Sequence, residues 1–285
     1  MPRLLSIEDL YDPNNDWKPL LDHIASLDLL YKRYRAAREQ AHTVTVFFGG
    51  TTSRAQGLHA SELCKCLRQA TYSLLGTEKR IDAENADVNM LMRFDIGTLV
   101  HAMLQTDFHS MCGLTDGHLL FEDEVKISAR TNALAAQYQY ASHCDGIFTF
   151  FDQGFNPYIR IGLEIKTMSG PEYETAKKPK EEHIAQAMLY QKVLDLPLIW
   201  YLYYNKSNSN FVSPRTPWLV PYDKNTWNRI ESRSQQVHLA IAQGVLPERE
   251  EGRHCTWCPY PWTCEPACIR RTGGRPTSMV PRRLT

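Results

Sequence analysis

Ile161-Gly162-Leu163-Glu164-Ile165-Lys166 is the stretch on which the reading of this chain turns. Along a strand, successive side chains point to opposite faces. Ile161, Leu163 and Ile165 then enter a core together, while Gly162, Glu164 and Lys166 share the other face, the glycine leaving room beside the acid and the lysine. Nineteen residues before Glu164 comes Asp145-Gly146, inside a second strand-like segment, 140–150. If the two strands are neighbours, Asp145 and Glu164 converge on one point. Paired carboxylates suit a hard divalent cation such as Mg2+ or Mn2+, which takes oxygen ligands and keeps several waters. A lysine beside them can orient or deprotonate a bound water and stabilise charge developing at phosphorus. That is the chemistry of phosphodiester hydrolysis.

A Glu-x-Lys string is cheap. Glu124-Val125-Lys126 repeats it without an upstream Asp-Gly strand, and cross-strand Glu–Lys pairs are ordinary surface stabilisers. Two further features favour the Glu164 copy. His101 follows Gly97 by one helical turn, and the glycine leaves space for the imidazole or its ligand. Gln186 and Tyr190 stand four apart on one helix face, offering an amide and a phenol to a phosphate or base. Each alone would read as an ordinary structural residue.

Outward from this centre, residues 118–128, 136–151, 158–168 and 197–205 are rich in β-branched and aromatic residues and read as strands. Helices are expected over 16–40, where Leu20, Ile24, Leu27, Tyr31 and Tyr34 mark one face, from Ser61 to Gly76, and over 86–110, 181–195 and 223–243. The fold class is α/β, with a mixed central sheet flanked by helices. Residues 1–57 are expected as an N-terminal helical extension, 58–268 as the core with its cysteine-bearing ends, and 269–285 as a basic mobile tail.

The 285 residues are 43% hydrophobic and 22% charged, which excludes a disordered or collagen-like chain. Lys plus Arg is 32 and Asp plus Glu is 32, so a polyanion would have to meet a local patch. Lys177, Lys178 and Lys180, and Arg270, Arg271, Arg275, Arg282 and Arg283, are the candidates. Such runs are as often simply solvated. No apolar run approaches the roughly 20 residues that span a bilayer, so no membrane partner and a cytoplasmic location are expected. Eight cysteines there do not suggest a disulfide framework. Cys255, Cys258, Cys264 and Cys268 crowd together near the end, at metal-binding spacing. A local Zn2+ site could take Cys268 or His254 as its fourth ligand. Cys112 and Cys144 read as buried thiols, and Cys144 by alternation faces away from Asp145.

The ordered set His101, Asp145, Glu164-x-Lys166, Gln186-x-x-x-Tyr190 resembles the RecB-like branch of the PD-(D/E)XK nuclease superfamily. The resemblance implies a restriction-endonuclease-like core and one metal site built on His101, Asp145 and Glu164. It makes Lys166 catalytic and places Gln186 and Tyr190 on the substrate. One departure is Ser142-His143-Cys144, where the family often carries a glycine. Cys66-Leu67-Arg68 with Tyr72, followed far downstream by Cys255-x2-Cys258-x5-Cys264, is similar to the iron–sulfur members of that superfamily, such as the CRISPR-associated exonuclease and its phage relatives. There, one cysteine before the core and three after it hold a 4Fe–4S cluster. The resemblance thus implies Cys66, Cys255, Cys258 and Cys264 as cluster ligands, with Cys64 and Cys268 as rivals. It implies a metal-dependent DNA exonuclease acting on single-stranded ends. Further partners would be a second copy of the chain or a recombination or CRISPR-adaptation protein. The competing class is a non-catalytic nucleic-acid-binding or assembly protein that keeps the fold and a structural zinc or iron–sulfur site.

Overall fold

A computed structural model describes residues 18–37, 56–77, 88–207, 218–252, 254–255, 258–260 and 263–264. In chain order these form α1 (Lys18–Ala37), α2 (Ala60–Leu63), α3 (Leu67–Leu74), α4 (Val88–Cys112), β1 (Leu119–Ile127), α5 (Ala133–Tyr138), β2 (Ser142–Phe151) and β3 (Pro157–Met168). There follow α6 (Gly170–Thr175), α7 (Glu181–Leu194), β4 (Leu198–Asn205), β5 (Trp218–Pro221) and α8 (Lys224–Gln243). The fold is the expected α/β class, a mixed sheet with flanking helices.

The five strands lie in the order β1-β2-β3-β4-β5. Among the described strands only β3 and β4 pair in parallel, and α6 and α7 fill the crossover that a parallel pair demands. β4 is buried on both faces, so it reads as the continuous run Leu198-Ile199-Trp200-Tyr201-Leu202-Tyr203 instead of alternating. Its even-numbered residues, with Ile161, Leu163 and Ile165 of β3, enter a core shared with α1 and α4. Its odd-numbered residues enter a second core, under α5, α7 and α8. Each fully buried Leu or Ile contributes roughly 1.5–3 kcal/mol by leaving water, and β3 feeds both cores.

Several expectations need correction. The helix from Ser61 breaks, because Cys64 caps α2 and Cys66 stands in extended backbone as the N-cap of α3. The strand over 136–151 begins only at Ser142. Its front is α5, started by Asn132, whose side chain accepts from the Leu134 and Ala135 amides at 2.8 and 3.1 Å, as N-caps do. β5 and α6, of four and six residues, are too short to show a period. Gly162 does not open space beside Glu164, since a Cβ there would stand 2.3 Å from Ile199 Cδ1. It allows the second core to close against β3. Residues 269–285, with their arginines, and Cys268 lie outside the described residues. Among the described residues no helix is long and apolar enough to cross a membrane.

α1 shares the first core with α4 and the sheet, Ile24, Leu27, Tyr31 and Tyr34 all being buried. Its polar clamp is Asp107 of α4, 1% exposed. That carboxylate accepts from Tyr31 Oη at 3.0 Å, Tyr34 Oη at 3.3 Å and Arg35 Nη1 at 2.6 Å. Burial, and then the Asp107 charge, push the Tyr31 phenol upward. Asp107→Ala removes one acceptor from two buried phenols and from Arg35, a hydrogen bond to a charged group being worth about 1.5–3 kcal/mol. Urea unfolding should show a loss of about 2–4 kcal/mol for Asp107→Ala, and an unchanged midpoint would contradict the clamp.

Candidate active site

β1 and β2 pair regularly, Asp123 with Gly146 and Val125 with Cys144, but nothing bridges Glu124 and Asp145 between them. Glu124 takes the left-handed conformation, φ 46°. Both strands change face there. Leu119 and Phe121 enter the first core and Ile127 the second. Cys144 and Ile147, three apart, share the second core, which strict alternation forbids. Cys144 therefore lies on the Gly162 side of the sheet, 3.7 Å from where a Cβ of that glycine would stand. Gln105 of α4 fills the opened ladder, its Nε2 donating to the Asp145 carbonyl at 2.9 Å and to Glu124 Oε1 at 3.0 Å. Gly146 is required because the Phe121 ring crosses it: a Cβ would stand 2.2 Å from Phe121 Cε2.

The gap frees the Asp145 side chain to bond in the plane of the sheet. Oδ2 accepts from the Ile165 amide at 2.6 Å, and Oδ1 faces His101 Nδ1 of α4 at 3.5 Å. Gly97, expected to leave space beside His101, faces Thr167 of β3, whose Oγ1 lies 3.5 Å from a Cβ built there. On β3, Glu164 is 1% exposed. Its Oε1 accepts from Lys166 Nζ, while its Oε2 has no hydrogen-bond partner. Burial first, and then the Asp145 charge, raise the Glu164 carboxyl, with Lys166 and His101 opposing. Burial pulls the His101 imidazole down, but the Asp145 hydrogen bond and the charges of Asp145 and Glu164 outweigh it and raise it. The arrangement is an anionic site with too little internal positive charge, which a cation would complete.

His101, Asp145, Glu164 and Lys166, drawn from three elements, thus act on one another through the His101–Asp145 and Lys166–Glu164 contacts and their charges. Among the described residues, three metal-suited donors gather in His101, Asp145 and Glu124, whose ligand atoms lie within 4.8 Å of one another. Glu124, set aside at the sequence level as an ordinary strand residue, and Gln105 were both missed. A signal existed for Gln105, which is one helical turn beyond His101 on the same face. For Glu124 the one trace is Asp123, which interrupts the odd-numbered apolar residues of β1 just before it.

Tyr190 is fully buried, so the substrate contact expected of it is corrected. Its Oη donates to the His143 carbonyl and meets Ser142 Oγ at 3.1 Å. It pins α7 to β2 two residues before Asp145. Gln186, half-buried, donates its amide to that phenol and is the member of the pair that can reach a ligand. Nearby, His183 Nδ1 meets Tyr203 Oη. Burial, and then Lys166, Lys180 and Lys65, push the His183 imidazole down to about 2, so it stays neutral. Lys177 and Lys178 are exposed on the loop before α7, whereas Lys180 pairs with Glu172.

The cysteines form a second locus. Tyr72, Tyr260 and Cys264 make a small core with Cys255 and Cys258 against it. Burial, and then Cys264, push the Tyr72 phenol up to about 12, Cys258 and Cys66 adding to this and Arg68 opposing. Cys66 lies close enough for its charge to act on the Tyr72 phenol. Cys64 instead packs against the second core, with Arg229, Arg233, Glu181 and Glu182 of α7 and α8 as its charged surroundings. The ends of the fold are tied here by Leu67 N to Glu250 Oε2 at 2.7 Å, Arg68 Nε to the Pro247 carbonyl at 2.9 Å and Tyr72 Oη to the Thr263 carbonyl at 3.1 Å. None of the described cysteines is in a disulfide.

No family model matches the chain, and no curated protein matches it. In structure it is similar to SSO0001, known from a crystal structure, at 12% identity and TM-score 0.44, with 83% of this chain and 94% of that chain covered. It is also similar to an alkaline exonuclease (LHK-Exo) from Laribacter hongkongensis, at 14% identity and TM-score 0.38, with 67% and 90% covered.

If Tyr190 positions β2, Tyr190→Phe should lower stability by about 1–3 kcal/mol, since it removes the bonds to the His143 carbonyl, Ser142 and Gln186 together. Should the protein hydrolyse a substrate, the variant should lose kcat with KM little changed. A rise in KM alone would mark a substrate contact instead.

Proposed function

We propose that this chain is a divalent-metal-dependent nuclease that hydrolyses DNA phosphodiester bonds, acting as an exonuclease on single-stranded ends. One observation carries the reading: His101, Asp145, Glu164 and Lys166 meet at the single break in the β1–β2 ladder. The resemblance of their order to the RecB-like nucleases supplies the substrate class and the preference for ends.

The donor set fits a hard cation. Asp145 and Glu164 offer carboxylate oxygens, His101 a ring nitrogen, and the Glu164 Oε2 atom is buried and unbonded. His101, Asp145 and Glu164 would hold Mg2+ or Mn2+, which when bound supplies positive charge to a phosphoryl oxygen and acidifies water. In hydrolysis a water oxygen joins phosphorus and the ester oxygen leaves as an alcohol. Lys166 Nζ, held on Glu164 Oε1 and 24% exposed, is placed to neutralise charge growing on the phosphoryl oxygens. Gln186 would donate its amide to a phosphate, and Lys177 and Lys178 would meet the strand's backbone.

We further propose that Cys66, Cys255, Cys258 and Cys264 hold a 4Fe–4S cluster, with Zn2+ as the alternative metal. The thiols fit such a group because Cys264 shares the small core of Tyr72 and Tyr260, Cys255 and Cys258 pack against it, and the charge of Cys66 reaches Tyr72. The cluster would supply a structural tie between the two ends of the fold.

DNA cleavage should require Mg2+ or Mn2+ and stop on chelation. Lys166→Ala should bind DNA normally and cut it roughly 10²–10³-fold more slowly, the range for losing one donor aimed at developing charge. Full activity of Lys166→Ala in a gel assay would overturn the assigned site. DNA binding with no cleavage under any divalent metal would favour the non-catalytic class. For the cysteines, iron and acid-labile sulfide should accompany the brown native protein and be lost from Cys66→Ser, while Cys64→Ser keeps both. A colourless protein holding one zinc would replace the cluster and leave the nuclease reading intact.

A further inference from the structure

We propose that Glu124 of β1 is itself a ligand of the divalent cation, forming with His101 and Asp145 a cation position on the exposed side of the strand break. This deepens the nuclease reading and rests on it for the kind of cation.

The geometry starts from three donors of suitable type. One ligand atom each from His101, Glu124 and Asp145 lies within 4.8 Å of the others. Ligands about 2.1 Å from one ion stand at most about 4.2 Å apart. Small side-chain rotations therefore gather all three on a single cation. The available atoms are defined by what the others already do. Asp145 Oδ2 is held by the Ile165 amide, so Oδ1, the atom that faces His101 Nδ1, is the one turned to the ion. Gln105 Nε2 orients both carboxylate-bearing residues at once, through the Asp145 carbonyl and through Glu124 Oε1. Supporting groups that bond to the ligands in this way commonly fix metal sites.

Glu124 reaches the site because β1 turns its face there. Its neighbour Asp123 points away, to His109 Nε2 at 3.4 Å. An independent observation also calls for a cation. Glu164 Oε2 is buried without a hydrogen-bond partner, and its carboxylate is close enough for its charge to act on Asp145 and His101. A buried carboxylate oxygen with no donor is rare unless an ion or water serves it. Glu164 would be the inner ligand, tied to Lys166, and Glu124 the outer one, open to solvent and to the incoming phosphate. The added carboxylate raises the charge of the ligand set, the property by which oxygen sites tune affinity.

The test needs no DNA. Mn2+ is titrated into the full-length protein and free Mn2+ is read by electron paramagnetic resonance. Glu124→Gln should weaken Mn2+ binding roughly tenfold or more, at least the loss seen when a group supporting a ligand is removed. Glu122→Gln, an exposed neighbour on the same strand, should bind as the unaltered protein does. Glu124→Gly keeps the left-handed backbone without strain and should show the same loss as Glu124→Gln, with an unchanged melting temperature for both. Unaltered Mn2+ affinity in Glu124→Gln or Glu124→Gly, with the affinity lost in Asp145→Asn, would overturn this inference and leave the nuclease site standing. Unaltered affinity in Asp145→Asn would overturn the site and the inference together.

Discussion

The bond from the Ile165 amide to Asp145 Oδ2, 2.6 Å long and buried, is the constraint around which the rest of the molecule is arranged. A carboxylate takes a backbone amide at the sheet's centre, at a level where β1 and β2 are not bridged. It does so where the β2–β3 pairing has ended at Gly146 and Leu163 and the β1–β2 ladder is open at Glu124. The opening exposes a carbonyl, Asp145 O, that could not be left unsatisfied in the interior. Gln105 answers it from α4, and that fixes how α4 lies on the sheet. His101, one turn away on the same helix, is thereby brought over Asp145. One missing pair thus determines where a helix docks and which imidazole it presents.

Holding this arrangement costs free energy, and both cores support it. Glu164 is nearly fully buried, and a buried carboxylate beside another is unfavourable unless something compensates. Lys166 offers one partner. Around them stand close-packed aromatic residues, Tyr190, Tyr201 and Tyr203, whose phenols are pushed upward by burial and then by the Glu164 charge. Their ionisation is suppressed, so they act as neutral donors that lock α7 against β2 and β4. Tyr201 donates to the His183 carbonyl and Tyr190 to the His143 carbonyl. The packing that buries the charge also prevents the strands from relaxing away from it. Such stored cost is characteristic of sites kept for what they bind.

The elements that the sequence made legible are those with a long period. The face of α1, the core side of β3 formed by Ile161, Leu163 and Ile165, and the strand β4 follow from spacing and composition, and so does the side of β3 that carries Glu164 and Lys166. Asp145 beside Glu164 was legible through neighbouring strands. What was hidden depends on contacts between distant residues. The left-handed Glu124 has only a weak marker in Leu119-Leu120-Phe121-Glu122-Asp123-Glu124-Val125, since the polar Asp123 is the one break in an odd-numbered pattern that resumes at Val125. Cys144 was assigned to the wrong side for the same reason. Gly162 looked like room for chemistry and proved to be room for Ile199 and Leu196, a difference set by what lies across the sheet. The burial of Tyr190 likewise depends on β2 passing beneath α7.

The chain's two ends obey a different logic. Glu250 accepts from Arg233 Nη1 and Nη2, each at 2.8 Å, and from the Leu67 amide. Burial would raise its carboxyl, but the Arg233 bond and the Leu67 amide hold it below the usual range. This junction lies within reach of Cys66, immediately before Leu67, and closes a loop of well over a hundred residues that contains the whole sheet. The entropy of closing a loop grows only with the logarithm of its length. A tie at the ends is therefore little more demanding than one across a hairpin, yet it restrains every strand between. Thiols bound to one metal group at this junction would act in the same sense as the Arg233–Glu250 pair. The break at Glu124 and the closure at the Arg233–Glu250 junction are then complementary, because a sheet opened between its edge strand β1 and β2 is held to shape from the ends of the chain around it.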